Sequence, residues 1–144
     1  MELFIKMKNA NSIPSIEDLK RVMWYENASI SRVGNDDLLK SGEEISLSWD
    51  KWIDNQRWSN HPKSKEYIYF QFIQPNLLKI EIDDSATFVD KRAVVLAGKF
   101  LAEIDDGDCS FNNRNWLQKD DFIKRINKYL QCSFDSAVEE SLIK

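Results

Sequence analysis

In the opening run ELFIKMK, Leu3, Ile5 and Met7 alternate with polar or mixed neighbours, and this period of two predicts a half-buried strand. Ser15 and Asp18 have capping-box spacing, and Ile16, Leu19, Val22 and Met23 follow at helical intervals. A first helix is therefore expected over about 16–25. Residues 28–33 read as a short return strand, with Gly34-Asn35-Asp36 as turn chemistry after it. Ile45, Leu47 and Trp49 alternate with Ser46 and Ser48, which predicts another strand. The stretch WDKWIDNQRWSNHPKSK is polar and studded with tryptophan, and reads as a long loop or an irregular helical turn.

The strongest pair of elements is EYIYFQFIQ followed by LLKIEID. Ile68, Phe70 and Phe72 share one face of the first run, and Leu78, Ile80 and Ile82 share one face of the second. The short connection around Pro75-Asn76 makes them an antiparallel hairpin, with Lys79, Glu81 and Asp83 on a solvated side. Thr87 and Asp90 repeat the capping-box spacing. Val89, Ala93, Leu96, Ala97, Phe100, Leu101 and Ile104 then recur every three or four residues as a core-facing helical stripe. Asp105-Asp106-Gly107-Asp108 ends that helix, and the CSF run after it suits a short strand. Phe122, Ile123, Ile126, Tyr129 and Leu130 mark an amphipathic helix over about 118–131. Phe134, Val138 and Leu142 mark a short final helix. The resulting order, β-α-β-β-β-β-α-β-α, describes an α+β fold in which two or three helices pack on one face of a mainly antiparallel sheet.

The chain has 144 residues and shows no internal repeat or low-complexity linker, so a single domain over 1–144 is expected. A hydrophobic fraction of 42% with 31% charged residues is a globular mixture rather than a disordered one. No apolar run is long enough to predict a membrane span. The apolar patch in MELFIKMKNANS is too short and interrupted to read as a secretory leader. Cys109 and Cys132 are too few for a disulfide scaffold, and reduced thiols in a cytoplasmic protein are the simpler expectation.

Chemistry is narrowed mostly by elimination. Four glycines, Gly34, Gly42, Gly98 and Gly107, cannot be arranged into a phosphate-cradling loop, so no nucleotide cofactor is expected. His61 is the sole histidine, and no C-x-x-C accompanies it, so no zinc site is expected. A nucleophilic triad would have to use His61 with Ser59 or Ser64, and no G-x-S-x-G elbow supports that. The chain is read as having no catalytic residues, metal or cofactor.

Charge is uneven. Residues 36–54 carry a net charge of −4 and residues 81–108 one of −5, whereas residues 114–128 carry +3. A nucleic-acid binder needs a basic stripe to neutralise phosphates, so direct nucleic-acid binding is disfavoured. Two sets of residues remain as candidates for recognition. Trp49, Trp52 and Trp58 occur with Asp50, Asp54, Asn55 and Arg57, and tryptophan and arginine are enriched at binding hot spots. The competing reading has Trp49 and Trp52 closing over the sheet as core residues. The second set is Asp83, Asp84, Glu103, Asp105, Asp106 and Asp108. With a helix between its two halves, this set is split by about 25 Å at about 1.5 Å per residue, too far for a two-carboxylate catalytic pair. The run D-D-G-D also fails the calcium-loop template. Solvated turns are one reading of these acids, and an acidic surface that docks a basic partner is the other.

The run IEIDDSATFVDKRAVVLAGKFLAEIDDGDCSF, followed by NWLQKDDFIKRINKYL, resembles the C-terminal part of small bacterial immunity proteins of polymorphic and contact-dependent toxin systems. The likeness covers roughly 66–131. It rests on Ala97 and Ala102 in a helix, Asp105-Asp106-Gly107 in an acidic turn, and Trp116, Phe122 and Ile126 after it. The resemblance implies a cytoplasmic, non-catalytic protein that binds one cognate toxin domain, with an acidic surface suited to the basic cleft of a nuclease. The expected partner-binding residues are Asp50, Trp52, Asp54, Trp58, Asp83, Asp84, Asp105, Asp106 and Asp108. Two alternatives remain: a non-catalytic accessory subunit of a cytoplasmic complex, and a carbohydrate-binding protein using Asp50, Asp54 and the tryptophans.

Overall fold

A computed structural model of the chain describes residues 1–8, 14–34, 44–61 and 65–143. Asp36, Asp37 and Glu43 of the first acidic segment lie outside these residues, as does most of the expected Gly34-Asn35-Asp36 turn.

Among the described residues, six strands form one antiparallel sheet: β1 (Glu2–Lys6), β2 (Ile30–Val33), β3 (Glu44–Trp49), β4 (Ile68–Gln74), β5 (Leu77–Glu81) and β6 (Cys109–Ser110), in the order β2-β3-β4-β5-β1-β6. The helices are α1 (Ile16–Met23), α2 (Lys51–Asp54), α3 (Phe88–Asp105), α4 (Lys119–Arg125), α5 (Asn127–Leu130) and α6 (Phe134–Leu142), with a 3-10 turn at Gln56–Trp58. The α+β expectation holds, with three helices of eight residues or more and three of seven or fewer among the described residues. The stretch read as one helix over about 118–131 divides at Ile126, whose ψ of 9° interrupts the helical backbone.

Period-two alternation explains which side of the sheet is covered. Leu3, Ile5, Ile45, Leu47, Ile68, Phe70, Phe72, Leu78 and Ile80 are all buried in the core beneath the helices. The other face carries Glu2, Lys6, Tyr69, Gln71, Lys79 and Glu81 and is solvated only in part, since Phe4, Ser46 and Ser48 on the same face are buried. α3 is the central helix, packed on β1 and β5 and flanked by α1 and α6. That position widens its buried surface beyond the predicted stripe: Asp90, Val94, Val95 and Gly98 are also buried, while Ile104 is 40% exposed. Asp106 terminates α3 in the left-handed region (φ 49°), and its N–H donates to the Ala102 carbonyl.

Strand register fixes which charged groups share an end of the molecule. Glu2 lies opposite Glu81, and Lys6 opposite Leu77. Trp49, Ile68 and Glu81 therefore mark one end of the sheet. The Lys6 N–H donates to the Asp108 carbonyl at 3.0 Å, which puts the acidic turn after α3 at the other end.

Candidate functional site

At the Glu81 end, the open face of the sheet carries a groove of about 770 Å³. Its lining includes the acidic residues Glu2, Glu66, Glu81, Asp83 and Asp84, the aromatic residues Tyr67, Tyr69 and Phe111, and Lys65. Tyr69 and Glu2 both neighbour Glu81 in the strand register, which explains how three separate strands contribute to one surface. Glu2 and Glu81 are like charges directly opposite each other, and Lys79 relieves them, with Nζ 3.6 Å from Glu2 Oε1 and 3.3 Å from Glu81 Oε2. Asp83 accepts from the N–H and hydroxyl of Ser85 in the turn before α3, and Asp84 pairs with the Met1 amino group. Those hydrogen bonds hold both carboxyls below their ordinary range, so both are ionised at neutral pH.

Asp83 and Asp84 are therefore the expected recognition residues that the fold does bring to a groove. Asp105, Asp106 and Asp108 are not part of it. They lie at the far end of α3, where Lys8 Nζ approaches Asp106 Oδ2 at 3.7 Å, so the acidic set does not form one surface.

The tryptophan segment also departs from expectation. Trp58 is buried at 3% exposure and Trp52 is half-buried, so they offer no open aromatic platform for a partner or a sugar. They enclose a cation instead. Lys51 Nζ lies 5.8, 5.6 and 5.2 Å from the ring centroids of Trp49, Trp52 and Trp58, within cation–π range. Asp54 is turned inward: it accepts from the Ser29 N–H at 2.6 Å, the Ser29 hydroxyl at 2.5 Å and Trp49 Nε1 at 2.9 Å. Burial pushes its carboxyl up, but these bonds and one with Tyr25 outweigh burial and hold it below its ordinary value. Asp50 accepts from the Ser31 hydroxyl at 2.7 Å and lies 3.5 Å from Lys65 Nζ, so it braces the groove wall from behind.

Periodicity did not single out the centre of this network. Lys51 Nζ contacts Asp90 Oδ2 at 2.6 Å and Glu66 Oε2 at 3.6 Å, and the side chains of Lys51 and Asp90 are 2% and 0% exposed. Trp24 Nε1 donates to Asp90 Oδ1 at 3.2 Å. The Thr87–Asp90 spacing does mark a helix start, but Asp90 turns toward Lys51 and Glu66 takes the Thr87 N–H at 3.2 Å. The available signal was a lysine between Trp49 and Trp52, which sequence reading treats as ordinary surface charge.

Cys109 and Cys132 are free thiols, and burial pushes the Cys109 thiol up to about 12. Among the described residues, no three His, Cys, Asp or Glu side chains gather as metal ligands would, and no helix is long and apolar enough to cross a membrane. Compared with protein-family models, curated proteins and solved structures, the chain matches none.

Proposed function

We propose that this chain is an immunity protein that neutralises a cognate toxin domain, seating a basic surface of the toxin in the acidic groove. One observation carries the reading: four carboxylates, from Glu2, Glu81, Asp83 and Asp84, line a single groove with Lys65 and the Met1 amino group, and Glu66, Tyr67 and Tyr69 belong to the same lining. Charge of one sign focused in a cleft raises association rates by roughly 10–1,000-fold, while a few aromatic anchors lengthen residence. A nuclease cleft, built to hold phosphates, is the basic surface that such a groove fits. The resemblance over roughly 66–131 supports the same reading, because Asp83 and Asp84 fall inside it. The role needs no catalytic group and acts in the cytoplasm, where the toxin would act.

The test is affinity capture from the native host, eluted at high salt and identified by mass spectrometry. A single stoichiometric toxin domain supports the proposal. Triple substitution of Glu81, Asp83 and Asp84 by Gln or Asn should then slow its association by roughly tenfold at low salt. Capture of several housekeeping subunits would replace this reading with that of an accessory subunit, and unchanged association kinetics would remove the groove from it.

A further inference from the structure

Two carboxyl groups converge on one buried ammonium. Lys51 comes from α2, Asp90 from the first turn of α3, and Glu66 from the segment entering β4. The Thr87 hydroxyl oxygen lies 2.9 Å from Asp90 Oδ2 and 3.1 Å from Glu66 Oε2. A hydroxyl has one proton and can donate to only one of these oxygens. The other close approach is favourable only if a carboxyl supplies the proton. Charge balance points the same way, since the two carboxyls share the single ammonium of Lys51.

The two acids are not equivalent. Asp90 is fully buried, holds Lys51 at 2.6 Å and accepts from the Trp24 indole, so it is the ionised member. Glu66 is 17% exposed, lies 3.6 Å from Lys51 and borders the groove. Both of its oxygens face Thr87 rather than the groove, which suits a latch better than a group presented to a substrate.

We propose that Glu66 is a proton-controlled latch: protonated, it is held inward on Thr87 and Asp90 and closes the segment before β4 onto the start of α3, whereas ionised it turns outward and adds its carboxylate to the groove. The electrostatics agree with the geometry. Burial, followed by the neighbouring Asp90, pushes the Glu66 carboxyl up to about 7, with Lys51 and the Thr87 N–H opposing. Among the described residues, the charged and titratable groups around it are Lys51 on α2, Asp90 on α3, Lys65 and Tyr67 on its own segment, Glu2 and the Met1 amino group at β1, Glu81 on β5, and Asp83 and Asp84 before α3. The carboxylates across the groove all oppose ionisation of Glu66. A cation brought into the groove would favour it. The latch is a property of the free protein and stands or falls separately from the inhibitor reading.

The test is a carboxyl-carbon NMR titration of the full chain from about pH 5 to about pH 9, following the Thr87 amide and Trp24 indole signals alongside Glu66. The expected result is a Glu66 midpoint near neutrality, with the Thr87 and Trp24 signals moving at the same midpoint. Glu66→Gln, whose amide donates to Asp90 and accepts from Thr87 at every pH, should lose all of these transitions. Titration of Glu66 in the ordinary carboxylate range, a Thr87 amide that stays still while Glu66 titrates, or transitions that persist in Glu66→Gln would each overturn the latch. If Glu66→Gln does not fold, the wild-type titration decides alone.

Discussion

Lys51 Nζ lies 2.6 Å from Asp90 Oδ2 although one residue belongs to a four-residue helix after β3 and the other to the first turn of α3, 39 positions later. The pair ties the tryptophan segment to the central helix. Its charges are shielded from water by Trp49, Trp52 and Trp58 on one side, and its remaining hydrogen-bonding capacity is met by Trp24, Thr87 and Glu66 on the other.

Removing one charge of a buried pair leaves the other uncompensated, so Lys51→Met should cost about 3–5 kcal/mol. Lys51→Met/Asp90→Asn should cost less than the sum of its two single changes, because the double variant leaves no net charge stranded on Asp90. Urea denaturation of the four proteins of the cycle measures both effects.

Glu66 gives a pH dependence with a definite sign. The unfolded side chain loses its proton near 4.5 and the folded one near 7. Between those values the native state binds more protons, so stability contributed by the protonated form is fully present below 4.5 and is lost as pH rises through 7. The stability of the wild type relative to Glu66→Gln should therefore fall across that interval, by roughly 3 kcal/mol at most, and level off above it. Chemical denaturation at several pH values reads this difference.

Asp54 acts in the opposite direction. Its depressed carboxyl contributes stability that is present above the unfolded value and lost as pH falls through the folded one. Asp54→Ala strands the Ser29 N–H and the Trp49 indole without their acceptor, and should cost about 1–3 kcal/mol at neutral pH. A thermal melt at neutral pH and another in acid should show the difference between wild type and variant shrinking in acid.

Two glycines should respond differently to the same added methyl group. At Gly98 a Cβ would run into the end of the buried Leu3 side chain, so the strain of repacking it offsets the roughly 0.5–1 kcal/mol of helix propensity that alanine gains. At Gly107 it would run into the Lys6 carbonyl, part of the backbone beside β6, which has no room to move. Gly107→Ala should lower the melting temperature clearly more than Gly98→Ala, with the Gly107 variant costing about 1–3 kcal/mol.

The sheet and its helices were legible because their signals are local. A strand repeats every two residues and a helix every 3.6, so Leu3/Ile5, Ile68/Phe70/Phe72 and Ala93/Ala97/Leu101 declare their elements without knowledge of the fold. The break in the predicted 118–131 helix at Ile126 was not legible, since no proline or glycine marks it. Asp83 and Asp84 could be picked out from charge alone, but equal weight fell on Asp105, Asp106 and Asp108, which the length of α3 carries to the opposite end.

The sequence by itself determined the α+β composition, the antiparallel hairpin of β4 and β5, the ends of α3 and the acidic balance, because each depends on residues close together in the chain. Tertiary structure decided which charges meet. Lys51 and Glu66 are unremarked in their local runs and Asp90 reads there only as a helix-start residue, and their coupling arises only when α2, the entry to β4 and the start of α3 close on one another. Burial then gives their charges consequences that the same charges lack in water, because a desolvated ion must find a counter-ion or a proton, whereas an exposed one is screened by solvent.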